Sequence, residues 1–158
     1  MERFAGYGSW LLNDGWSFRK MPLGSAMEDA RSPEGWLAVQ LPHDWLIWQA
    51  SDLYESADAW YRRELTLPPD RAERILLGFD GVYMDCDILL NGRVICSHPY
   101  GYTAFRADLT DGLLPGRNEL MVHIRHRSPN SRWYSGSGIF RDVTLSGLPA
   151  DHMVQDSL

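Results

Sequence analysis

Positive charge, cysteine and long apolar runs are all scarce in this sequence. Lysine and arginine total 15 against 21 aspartates and glutamates, a formal charge of −6. Binding to phosphate draws its affinity from clustered Lys and Arg, so this balance argues against a nucleic-acid partner. The local run Arg125-His126-Arg127, with Arg132 shortly after, reads in that context as a solvated strand edge. Apolar runs such as Trp45-Leu46-Ile47-Trp48 are far too short to span a bilayer, so no membrane partner is expected. Met1-Glu2-Arg3-Phe4-Ala5-Gly6 lacks the basic flank and apolar core of a secretory signal, and no Asn-x-Ser/Thr sequon occurs. The expected location is cytoplasmic. Length is the last shortage. The chain of 158 residues holds a single domain, 1–158, whereas a (β/α)₈ barrel needs about 250 residues.

Only two cysteines occur, Cys86 and Cys96. They flank two strand-like runs joined by Asn91-Gly92, the strongest short hairpin signal because both turn residues must take φ > 0. With a two-residue turn, Leu90 opposes Arg93, Ile88 opposes Ile95, Asp87 opposes Cys96 and Cys86 faces Ser97. That register puts the thiols on opposite sides of the ribbon, where they do not pair. A longer loop would shift it. Free thiols agree with a reducing compartment.

Apolar residues make up 44% and charged residues 23%, an ordinary soluble globular balance. The surplus is aromatic, with 7 Trp, 7 Tyr and 5 Phe. Turn signals recur at short intervals and long helical periodicity is missing. Strand-like segments run over 10–18 (broken by Asn13-Asp14-Gly15), 36–41, 60–67, 74–79, 84–90, 93–96, 103–109, 119–127 and 140–145. The clearest alternation sets Leu120, Val122 and Ile124 against Met121, His123 and Arg125, a half-buried strand. Only 25–31 and 109–113 suit a helical turn. About nine short strands with frequent turns point to an antiparallel β-sandwich or barrel. Two aromatic-rich loops stand out, 40–60 and 128–138, and long loops in compact domains are usually functional or pinned to the core.

Several residue sets were weighed for chemistry. Asp85 and Asp87, two apart on a strand, can approach glycosidase spacing, but nothing nearby raises either pKa and acids on a hairpin commonly face solvent. His43-Asp44 lacks an adjacent nucleophile, and Asp44 fits the role of a cap on local backbone amides. His123 and His126, three apart on a strand, face opposite ways and make a poor metal pair. Gly136-Ser137-Gly138 lacks the Lys-Ser/Thr of a phosphate loop. No catalytic residue, metal or cofactor is expected. The aromatics carry more. Sugar rings present C–H faces that stack on Trp and Tyr, while their hydroxyls seek Asp, Asn and Arg. Trp133 and Tyr134 beside Asn130 and Arg132 supply both. Trp10, Trp16 and Trp36 read as core or inter-domain packing, whereas Trp133 suits packing and sugar stacking equally.

The ordered motifs Leu41-Pro42-His43-Asp44-Trp45, Phe79-Asp80-Gly81-Val82, Leu90-Asn91-Gly92-Arg93, Gly101-Tyr102-Thr103-Ala104-Phe105, Leu114-Pro115-Gly116-Arg117-Asn118-Glu119-Leu120 and 130–143 resemble the N-terminal sugar-binding domain of glycoside hydrolase family 2. The likeness covers about Leu11 to Leu148 and is nearest to the bacterial β-galactosidase branch. It implies a jelly-roll β-sandwich and a non-catalytic role. The family's two catalytic glutamates belong to a barrel further along, and this domain contributes one wall of the pocket. It implies a β-galactoside-like carbohydrate and the downstream domains as partners, with Asn130, Arg132, Trp133, Tyr134 and Asp44 as substrate-binding residues. Several relatives carry an aspartate where Arg132 stands. The reversed charge suits donation to hydroxyls or an acidic sugar, or pairing with a barrel carboxylate. The C-terminal run 149–158 resembles a link into a next domain. The alternatives are a self-contained carbohydrate-binding module and a purely structural sandwich.

Overall fold

Period-two alternation and closely spaced turns become ten strands in the computed structural model, which describes residues 4–47, 54–129 and 136–153. The strands are β1 (Gly8–Leu11), β2 (Trp16–Pro22), β3 (Leu37–Val39), β4 (Ala57–Leu67), β5 (Arg74–Phe79), β6 (Cys86–Leu90), β7 (Arg93–His98), β8 (Phe105–Asp108), β9 (Gly116–His126) and β10 (Val143–Leu148). One helical turn, α1 (Met27–Ala30), and a 3₁₀ turn at Thr110–Gly112 fall inside the two stretches expected to be helical. A four-stranded sheet, β1-β10-β5-β8, faces a six-stranded sheet, β3-β2-β4-β9-β6-β7. Every pair of named strands is antiparallel. The jelly-roll sandwich expected from the sequence is therefore the fold.

Alternation decides what lies between the sheets. Ala57, Ala59, Tyr61 and Leu65 of β4, Ile88 and Leu90 of β6, and Leu120, Val122 and Ile124 of β9 meet Ile75, Leu77 and Phe79 of β5 and Leu145 of β10. Trp16 joins this core, its indole N–H donating to the Leu12 carbonyl at 2.6 Å. The other face of the six-stranded sheet is only partly wet. Trp60, Leu89 and Met121 form a second buried cluster with Ala30, against which Met21, Met27 and Trp36 pack. Met121, expected to face outward, is buried because the excursion that carries α1 folds back over it. Trp36 is half-buried and packs against this second cluster, outside the main core. Trp10 is half-buried, edge-on to Phe4 at 5.7 Å.

The β6–β7 hairpin departs from its expected register. Asn91 and Gly92 do take positive φ (51° and 80°) and Leu90 does oppose Arg93. A bulge at Ile95 of β7, opposite Ile88 and Leu89, then shifts the pairing by one, so Ile88 opposes Cys96, Asp87 opposes Ser97 and Cys86 opposes His98. A bulge adds one residue to one strand and reverses the facing of everything beyond it. Cys86 and Cys96 therefore share the core face, contrary to the opposed faces that a regular register gives. They remain free thiols. Burial, with Cys96 close by, pushes the Cys86 thiol up to about 12, and burial also raises Cys96.

Thiol reactivity reads this arrangement. Ellman's reagent is expected to titrate two thiols in the unfolded chain, and in the native chain to label the half-exposed Cys96 well before the buried Cys86. Fewer than two thiols after denaturation without reductant would contradict it.

Candidate functional site

One end of the sandwich gathers the loops that the sequence marks as aromatic-rich. There β4 starts at Ala57 and β9 ends at His126, the two residues being paired. Beyond β10 and β5 the four-stranded sheet is prolonged by irregular chain. His43 N–H donates to Ile139 O at 2.8 Å, and Trp45 N–H to Ser137 O at 3.0 Å. Tyr83 and Gly138 exchange both bonds, at 2.9 and 3.0 Å. A carboxylate locks this ladder. Asp44 Oδ1 accepts the amides of Leu46 (3.0 Å), Ile47 (3.1 Å) and, ninety-three residues away, Ser137 (3.0 Å). The capping role read from the sequence is thus observed, extended to a second stretch of chain.

Around that clamp the packing is aromatic. The His43 ring lies 4.8 Å from Phe18, and its Nδ1 is 2.7 Å from the Tyr61 hydroxyl. Burial lowers its pKa, against the opposing pull of Asp44. Trp45 meets His126 edge-on at 5.7 Å, and Lys20, paired with Glu55 at 2.7 Å, sits 5.3 Å over the indole. His126 is 1% exposed, and neither ring nitrogen has a hydrogen-bond partner among the described residues. Gly138 completes the frame. A Cβ there would run into the His43 carbonyl and approach the Tyr61 hydroxyl at 2.7 Å, and its φ of +139° disfavours any other residue.

Of the five expected substrate-binding residues, the structure describes Asp44. Asn130, Arg132, Trp133 and Tyr134 lie outside the described residues. The described chain stops at Pro129 and resumes at Gly136, so both flanks of that segment belong to this end of the sandwich. Trp45, His126 and Tyr83 also belong to it; the sequence marks Trp45 only within an apolar run and a family motif, and His126 only within a basic run and as a poor metal ligand, because depth of burial leaves no mark in local pattern.

The other polar candidates are drawn into structural pairs. Asp85 receives two hydrogen bonds from Arg125 (3.0 and 2.8 Å), which hold its carboxyl below the usual range. Asp87 is lowered too: burial opposes this, but hydrogen bonds from Arg125 at 2.6 Å and from Ser97 prevail. A glycosidase acid needs the opposite shift, so this pair is not an acid/base dyad. His123 stacks on Trp60 at 4.0 Å with its Nε2 3.2 Å from buried Asp58, while His126 meets Trp45; the two rings face apart, as strand geometry requires.

Two measurements follow from this geometry. Asp44→Ala strands two buried amides and one half-buried amide and is expected to cost about 2–4 kcal/mol in urea unfolding, with Asp44→Asn recovering much of it through its amide oxygen. The pH dependence has two windows. His43, His123 and His126 have lowered pKa values, each chiefly through burial. The folded chain therefore binds fewer protons than the unfolded one, and stability that is complete above about pH 6.5 is lost as pH falls below it. Asp85 and Asp87 withdraw their share only below about pH 4. Scanning calorimetry between pH 7.5 and 5 is expected to show a falling Tm, and His126→Phe a flatter profile.

Comparison with known proteins bears on the family and the fold. The glycosyl hydrolase 2 galactose-binding domain-like family model matches residues 47–135. The beta-galactosidase BoGH2A of Bacteroides ovatus is 35% identical over 90% of this chain and 18% of its own length. A beta-glucuronidase of Bacteroides fragilis is 30% identical over 85% of this chain and 20% of its own. Among solved structures, a calcium-binding mutant of Bacteroides uniformis beta-glucuronidase 2 superposes with a TM-score of 0.77 at 32% identity, covering 90% of this chain and 18% of that one. A glycosyl hydrolase family 2 member from Bacteroides cellulosilyticus does so with a TM-score of 0.75 at 27% identity, covering 89% and 20%. The chain thus spans about a fifth of the length of these relatives. It belongs to the glycosyl hydrolase 2 galactose-binding domain-like family.

Proposed function

We propose that this chain is the non-catalytic sugar-binding domain of a longer family 2 glycoside hydrolase of the β-galactosidase type. Its clamped end forms one wall of a substrate pocket, and the downstream domains of the same polypeptide supply the remainder. Hydrolysis in this reading is retaining, with an acid/base and a nucleophilic carboxylate both outside these 158 residues. Trp133 and Tyr134 stack on the sugar, Asn130 and Arg132 donate to its hydroxyls, and Asp44 fixes the frame at Ser137, just beyond that segment. The observation that carries the reading is the Asp44 clamp. A buried carboxylate joining 44–47 to Ser137 spends three charge-assisted hydrogen bonds on holding the root of a loop, which is how a binding segment is pre-organised. Free Cys86 and Cys96 support a reducing compartment, the cytoplasm, as its location.

Trp133→Ala in the full-length polypeptide tests this. Expected is a fall of about tenfold or more in kcat/KM on an aryl β-galactoside, with Tm nearly unchanged. A large drop in Tm with intact kinetics would assign Trp133 to packing instead. Reading the coding sequence past Leu158 separates the domain from a self-contained binding module, since only the former continues into a barrel-length stretch.

A further inference from the structure

A second group of aromatics is mounted on the same ladder. The loop between β7 and β8 exposes Tyr100 (54%) and Tyr102 (45%), their rings 5.5 Å apart and tilted by 59°. Tyr7 and Tyr54 are exposed as well, so it is the pairing of Tyr100 and Tyr102, ring against ring, that makes a patch of them. Tyr102 stands edge-on against Tyr83 at 5.4 Å, and Tyr83, 1% exposed, is itself edge-on to Phe140 at 6.4 Å. Gly101 permits the fit, because a Cβ there would collide with the Tyr83 ring. Tyr83 in turn exchanges backbone hydrogen bonds with Gly138, so the platform is fixed to the Asp44-clamped frame. At its rim Arg141 is exposed, its guanidinium 5.4 Å over Phe140.

We infer that Tyr100 and Tyr102 form a subsite for a further sugar ring, so that the domain selects an extended glycan chain over a single monosaccharide. Two tilted tyrosines offer faces for the C–H surface of a pyranose and phenolic oxygens for its equatorial hydroxyls, with Arg141 as a further donor. A nucleotide would also stack here, but its phosphates would meet a chain of net charge −6. A neutral sugar meets no such penalty. Little conformational entropy is lost on binding, because Tyr83 and Gly101 already hold the Tyr102 ring in place. The inference rests on the reading of this end as sugar-facing and adds to it the size of the ligand.

Saturation-transfer NMR on the 158-residue chain, with galactose and β-1,4-galactotetraose as probes, tests it. The tetraose is expected to bind about fivefold more tightly than galactose, an advantage that Tyr100→Ala reduces and the Tyr100→Ala/Tyr102→Ala pair removes. The corresponding Tyr→Phe pair, which keeps the rings, retains most of it. Near-UV circular dichroism of each variant checks that the fold persists. Trp133→Ala separates this inference from the preceding one. If it changes neither ligand while the tyrosine pair still removes the tetraose advantage, the subsite stands and the role of Trp133 falls. Equal affinity for the two probes, no transfer to the tetraose, or an advantage that survives the double tyrosine variant overturns the inference.

Discussion

The loop end of this domain depends on where one oxygen atom sits. Asp44 Oδ1 takes amides from its own turn and from Ser137, and so joins two stretches that are remote in sequence. Without the carboxylate, the amides of Leu46 and Ser137 would be orphaned in buried surroundings, at a cost comparable to that of an unmade hydrogen bond. With the carboxylate in place, the irregular chain beyond β5 and β10 continues the ladder out to Tyr83. The aromatic packing of His43, Phe18 and Tyr61 follows from that alignment.

The six-stranded sheet supplies the rigidity against which this end is built. Its inner face packs on the opposing sheet, and much of its outer face is covered by α1 and the chain around it. A sheet buried on both sides has little freedom to flex, and loops projecting from it inherit that stiffness. Polar groups on the outer face are paired across strands, as with Arg125 and its two aspartates or His123 and Asp58. They brace the plate from its outer side.

How much of this was legible depended on whether the signal was local. Strand positions followed from period-two patterns, and the two helical turns from short stretches without one. Asn91-Gly92 announced its turn through the φ each residue tolerates. Asp44 was readable as a cap because a short carboxylate next to turn residues has nearby amides to accept from. The bulge at Ile95 of β7 was not legible, since Val94 to Cys96 pair as readily in a regular ladder as in a shifted one, and the shift moved Cys96 to the core face. Met121 looked solvent-facing because its cover comes from α1, nearly a hundred residues earlier. The partner of Asp44 at Ser137 was hidden for the same reason. Distance along the chain, more than residue type, separates what was read from what was not.

Gly138 shows where the loop end is most vulnerable. Its single hydrogen lets the chain pass between the His43 carbonyl and the Tyr61 hydroxyl. Any methyl group there would wedge the ladder apart from within. Inherited or engineered damage to the proposed sugar-facing wall therefore has a route that touches none of its proposed sugar-contacting residues, and a search confined to aromatic and polar side chains would pass over it.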